Sequence, residues 1–220
     1  MSKNLSNLVR NCLAKGMNKS VDKIRILENK EKYYDINAPV HVNAYTNKIF
    51  SLMLSLNKDG MSNDSLGVIN QGNSFKDALT KMVDNLSVLL KGNPFSYVEL
   101  GPEPIKTTYI IERLLRNGCS LRSYTSVDIN PSSSIVMRQC LLPFLSEDMI
   151  FSLNQDYHLC DSSCFYCDGI PKVFTMLGFQ EGNEEPEKIA GIFNKMTEKE
   201  DIILSEMQMM PPFDTSPIYD

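Results

Sequence analysis

At 220 residues the chain is long enough for one ample domain, or for a domain with a modest appendage. Its 22% charged and 42% hydrophobic residues are ordinary for a globular protein, and a net charge of −5 argues against nucleic acid, whose binders present a basic surface. No run approaches the roughly 18–20 continuous apolar residues of a membrane span, and the polar start MSKNLSNLVRNCLAKG lacks the apolar core of a secretory signal. The expectation is a cytoplasmic protein, off the membrane, with its six cysteines reduced.

In chain order, LSNLVRNCLAK carries Leu5, Leu8, Val9 and Cys12 at helical spacing. NAYTNKIFSLMLSL and SFKDALTKMVDNLSVLLKG repeat the pattern, the latter ending at Gly92. Between them NKDGMSNDSLG reads as a loop from its Gly, Asn, Asp and Ser content. Residues 1–92 are therefore expected to be a mostly helical region. The character then changes. SYVEL is a short β-rich run, and IKTTYIIERLLRNG sets Ile110, Ile111, Leu114 and Leu115 on one helical face before the stop signal Asn117-Gly118. SLRSYTSVDIN is the next strand candidate, and Asn130-Pro131 opens a helix through SSSIVMRQCLL. DMIFSL and KVFTML are further strands, EEPEKIAGIFNKM a helix, and DIILSEM a last strand. Strands alternating with helices at this rhythm mean βαβ units, a parallel sheet and an α/β domain over residues 93–220.

In open parallel sheets, ligands sit beyond the carboxyl ends of the strands where the strand order reverses. After the first strand comes Glu99-Leu100-Gly101-Pro102-Glu103-Pro104, a turn in which glycine lets backbone approach a ligand and a helix N-terminus follows. Asp128 follows the second strand, where a carboxylate accepts the ribose hydroxyls of an adenosine-type cofactor. Asp156-Tyr157 follows the third, and LGFQEGNEEP, another glycine-bearing turn, the fourth. No G-x-G-x-x-G stands anywhere, which disfavours a dinucleotide, and the absence of G-x-x-x-x-G-K-[ST] excludes a P-loop.

These strand ends resemble those of class I S-adenosylmethionine-dependent methyltransferases, and within that superfamily the histidine-specific methyltransferases of ergothioneine biosynthesis. YVELGPEPIKTTYIIERLL is similar to that family's E-L-G-S-G turn leading to K-T, YTSVDIN to its second strand, NQDYHL to its G-D-[FY], and VFTMLGFQEGNEEPEKIAGIFNKM to its F-L-G-S-x-I-G-N. The resemblance spans about residues 95–207. It implies a Rossmann-like fold with S-adenosyl-L-methionine as cofactor, contacted by Lys106, by Gly101 at the methionine end, by Asp128 at the ribose, and by Asp156 and Tyr157 at the adenine. It implies too that Asn183 holds the amino-acid end of a small-molecule substrate, and that the helical residues 1–92 cap the site.

The sequence departs from the family in three ways. Glu103 replaces the second glycine of G-S-G, and Gly178-Phe179-Gln180-Glu181 replaces G-S-x-I, so the substrate floor differs. The family continues with further strands and a late substrate lobe, whereas only QMMPPFDTSPIYD follows DIILSEM. The C-terminal strands are thus expected to be missing or truncated, leaving an exposed sheet edge that favours a homo-oligomer.

CDSSCFYC, with Cys160, Cys164 and Cys167 at C-x3-C-x2-C spacing, has the look of a radical-enzyme cluster loop, but too little chain follows for the barrel such enzymes need. His158 with these three thiols is a set zinc accepts, although paired C-x2-C knuckles are absent. Reduced thiols in a loop are the expectation, with no metal. Three readings stay open: N-methylation of an amine or amino-acid-like substrate, a non-catalytic module keeping the same fold, and a zinc or iron–sulfur protein.

Overall fold

The computed structural model describes residues 3–24, 51–62, 74–165, 169–177 and 186–205. The chain divides into two units, Met1–Ser51 and Leu52–Asp220. In the first, helix α1 (Lys3–Gly16) buries Ala14 and is followed by a 3-10 turn at Val21–Lys23.

In the second unit, α2 (Phe75–Leu89) starts at a capping box. The Ser74 side chain accepts from Asp77 N at 3.0 Å and the Asp77 carboxylate accepts from Ser74 N at 3.2 Å, so two helix-end amides that lack intrahelical partners are satisfied. Then alternate β1 (Pro94–Leu100), α3 (Pro104–Arg116), β2 (Ser120–Val127), α4 (Pro131–Leu141), β3 (Ile150–Leu153), β4 (Lys172–Met176), α5 (Pro186–Met196) and β5 (Ile202–Ser205). Prolines open α3, α4 and α5, where the missing N–H costs no hydrogen bond. The described strands form one five-stranded sheet of order β3-β2-β1-β4-β5, every pairing parallel. This is an α/β, Rossmann-like fold, as the alternation predicts.

The two faces of the sheet bury separate cores, because successive side chains of a strand point to opposite sides. Phe95 and Tyr97 of β1 and Val173 of β4 join Leu79, Val83 and Leu86 of α2, Ile110, Ile111 and Leu114 of α3, and Met137 and Leu141 of α4. Val98, Leu100, Phe174 and Met176 face the other way, onto Ile189, Ile192, Phe193 and Met196 of α5. Full burial of each such side chain stabilises by roughly 1.5–3 kcal/mol.

The passage from β3 to β4 has no α-helix among the described residues. It uses 3-10 turns at Tyr157–Leu159 and Ser162–Phe165, which supply Cys160 and Phe165 to the α5-side core. One expectation is corrected. The loop predicted to begin at Asn57 is helical through Gly60, and Met61 N donates to Asn57 O at 2.9 Å. Lys58 and Asp59 are exposed while Asn57 is half-buried and Met61 packs against the core, so burial on one side outweighs loop-like composition.

Candidate functional site

Strand order reverses at β1. Chain connections run from β1 to β2 and β3 on one side, and β4 and β5 lie on the other. The carboxyl ends on the β1–β3 side carry the residues expected from the sequence. Gly101 closes β1 with φ +70, a left-handed conformation that suits glycine, and its N–H donates to Val127 O at 2.9 Å. Leu100 pairs with Val127, so Asp128 follows in the adjacent position, its own N–H on Leu153 O at 3.1 Å. One Asp128 oxygen accepts from Asn130 N at 2.9 Å; burial holds this carboxyl above the usual range, against the backbone donors. Asp156 lies three residues past Leu153 at the end of β3. Gly101, Asp128 and Asp156 therefore follow one another along the carboxyl edge.

Asp156 is already engaged. Its Oδ1 accepts from His158 N at 3.0 Å and lies 2.5 Å from His158 Nδ1, while the Tyr157 ring stacks on His158 with centroids 4.4 Å apart. Lys106, in the first turn of α3, is buried at 1% exposure with its ammonium 5.7 Å from the centre of the Phe75 ring. Asn183 and Cys167 lie outside the described residues.

Glu103 is the clearest departure from an open glycine turn. It is the N-cap of α3, and its two carboxylate oxygens accept from Ile105 N and Lys106 N at 2.9 Å each. The helix N-terminus is thereby filled by a side chain of the protein itself, where a ligand anion would otherwise be drawn by free N–H groups and the helix dipole.

Beneath this turn is a polar cluster that the sequence pattern did not bring out. Glu99 is fully buried on β1; its oxygens lie 2.7 Å from the Thr107 hydroxyl and 2.9 Å from the Tyr124 hydroxyl. Tyr124 stacks on Tyr97 of the neighbouring strand with centroids 5.9 Å apart. Burial raises the Glu99 carboxyl to about 7, opposed by the Thr107 and Tyr124 hydrogen bonds, with Glu103 raising it further and Lys106 lowering it. The available signal was a glutamate, aligned with Tyr97 by strand alternation, in a strand too hydrophobic to be half exposed.

The cysteine loop gathers two sulfurs around one amide. Gln155 Nε2 is 3.0 Å from Cys160 Sγ and 3.8 Å from Cys164 Sγ. Burial pushes the Cys160 thiol up to about 11, the opposite of the activation that a reactive or ligating cysteine needs. Among the described residues no group of three His, Cys, Asp or Glu side chains is arranged to hold a metal. None of the described helices is long and apolar enough to cross a membrane.

No protein-family model matches the chain, and no curated protein does. Solved structures similar to it include a candidate S-adenosyl-L-methionine-dependent methyltransferase from Methanococcus maripaludis, 12% identical at a TM-score of 0.45, with 60% of this chain and 57% of that one covered. Precorrin 8w decarboxylase from Methanobacterium thermoautotrophicum is 16% identical at 0.40, covering 59% and 63% of the two chains. A methyltransferase from Thiobacillus denitrificans in complex with S-adenosyl-L-homocysteine is 12% identical at 0.38, covering 57% and 47%. The chain thus spans about half to three-fifths of these structures' own length. At these identities and scores the likeness carries no argument about activity or ligand.

Proposed function

We propose that the chain is an S-adenosylmethionine-dependent methyltransferase acting on a small amine or amino-acid-like substrate, with transfer to nitrogen. The observation that carries this reading is the juxtaposition of Gly101, in a left-handed turn, with the half-buried carboxylate of Asp128 on the next strand end of a parallel sheet whose order reverses at β1. The donor set fits the cofactor. The Asp128 carboxylate accepts from the Asn130 amide and also interacts with the Ser133 side chain and the Ile129 amide, donors that would hold it in place for the ribose hydroxyls, and Gly101 offers an approach with no Cβ in the way. Asp156 and Tyr157 would frame the adenine, and Lys106 would support the methionine end from below. Asn183 would position the amino-acid end of the substrate, and the N-terminal helical region, residues 1–92, would cap the site.

The cofactor supplies an activated methyl group when bound. The chain's own residues contribute orientation and exclusion of water, and an amine that binds neutral needs no general base. Calorimetric titration of the full chain with S-adenosylhomocysteine is the test. Micromolar binding, weakened at least about tenfold (roughly 1.4 kcal/mol) in Asp128→Ala, is expected. Folded protein that does not bind would remove the reading.

A second reading, a non-catalytic module that keeps the fold, is favoured by Glu103. Its carboxylate takes both amides at the start of α3 and sets a negative charge where the methionine carboxylate of the cofactor would approach. It is distinguished by Glu103→Ala: binding of S-adenosylhomocysteine by this variant, with none by the wild type, would favour the module.

A further inference from the structure

The ends of β1, β2 and β3 hold the residues assigned to the cofactor, and the carboxyl edge continues past them to β4 and β5. There, Leu177 directly after β4 and Ser205 at the end of β5 meet Phe75, Ala78, Leu79 and Met82 of α2 around a cavity of about 140 Å³. Leu79 and Leu177 are buried and form its floor; Ala78 and Ser205 are exposed and mark its mouth. Among the described residues Ser205 is the one polar group lining it, so an ionised group seated against these residues would lose hydration with little in return. An apolar cavity of about 150 Å³ takes up benzene, so this one matches a single ring or a branched alkyl group of that size. It is also tied to the polar cluster. Phe75 lines the cavity and has the Lys106 ammonium over its ring, and the same lysine acts electrostatically on Glu99 at the end of β1.

We propose that this cavity is the acceptor subsite, and that the methyl acceptor carries an uncharged aryl or compact alkyl group that seats between α2 and the ends of β4 and β5. The inference rests on the methyl-transfer reading and narrows it. Among amines it separates ring-bearing or branched acceptors, which would fill the cavity, from small polar ones such as glycine or methylamine, which would not. Burial of the apolar group would hold the acceptor on the half of the edge that the cofactor leaves free, so that its nitrogen is presented towards β1.

The experiment uses the full chain with its methionine methyl groups isotopically labelled, in the presence of S-adenosylhomocysteine whose binding is measured separately by calorimetry. Benzylamine and methylamine are the probes, and Met82→Leu assigns the reporting resonance. The expected result is a saturable shift of the Met82 methyl with benzylamine and none with methylamine. Ala78→Trp, at an exposed helical position over the mouth, should weaken benzylamine binding at least tenfold while leaving S-adenosylhomocysteine affinity unchanged. Normal cofactor-product binding with an unmoved Met82 methyl, or with equal benzylamine affinity in Ala78→Trp, would overturn the subsite. A Met82 response without any S-adenosylhomocysteine binding would instead overturn the methyl-transfer reading, and the acceptor role with it.

Discussion

Glu99 sets the terms at the scale of single residues. Its carboxyl is raised from an ordinary 4.5 to about 7 in the folded protein, so between those values the folded state holds a proton that the unfolded chain has released. Stability contributed at this position is full below about 4.5 and declines as the pH rises through 7. The whole effect is on the order of 3 kcal/mol from the size of the shift. Glu99→Gln keeps an oxygen for the Thr107 and Tyr124 hydroxyls and removes the titration. Denaturant unfolding at pH 6 and pH 8 should show wild-type stability falling across the interval and the variant nearly flat. A wild type as stable at pH 8 as at pH 6 would contradict the assignment. Asp128 is raised by burial in the same direction, so the two profiles should be compared in the Asp128→Ala background as well.

Between elements, the tightest polar joint lies where α5 gives way to β5. Asp201, 1% exposed, accepts from Lys172 N at 2.7 Å and Glu198 N at 2.8 Å and faces Lys172 Nζ at 3.4 Å, while Lys172 Nζ also meets Glu198 at 2.8 Å. One carboxylate thus fixes the start of β4 against the turn before β5. Asp201→Ala would strand two backbone donors and leave a buried lysine with one exposed partner, a loss of about 3 kcal/mol. The check is a chemical-denaturation midpoint shift at unchanged slope; an unshifted midpoint would mean that water replaces the carboxylate without cost. On the opposite face, Arg113 of α3 grips Asp84 of α2 through two bonds of 2.7 Å, and Asn117 adds a third at 3.1 Å. That pair is partly exposed, so it orients the two helices more than it stabilises them.

Across the whole molecule, the fold was legible because its signals are local and repeated. Each strand is a short β-rich run, each following helix begins at a proline or cap, and Gly92 and Gly118 take up the left-handed conformation that their place after a helix demands. The carboxyl-edge residues were legible for the same reason, since topology alone sends Gly101, Asp128 and Asp156 to neighbouring strand ends. What the sequence hid depends on distance through space. Tyr124 reaches Glu99 across 25 positions, and the cavity under Ala78 needs α2, β4 and β5 together. Glu103 was visible as a departure, but only the structure gives its occupation, two amides of its own helix. Helix continuation through Gly60 was hidden because composition there is loop-like while one face packs.

The use of 3-10 turns between β3 and β4 has a consequence for local opening. A 3-10 turn protects few amides: Leu159 and Cys160 donate to Asp156 and Tyr157, and Cys164 to Asp161, each over three residues. The strands and α3, by contrast, are embedded in the cores. Amide hydrogen exchange over Tyr157–Phe165 should therefore run much faster than over β1 or α3, with opening free energies nearer zero than the global value. Deuterium uptake followed by mass spectrometry would measure it, and uptake as slow as in β1 would refute it. Because Asp156 and Tyr157 begin this segment, a ligand resting on them would announce itself as slowed exchange there, with the sheet's own exchange unchanged.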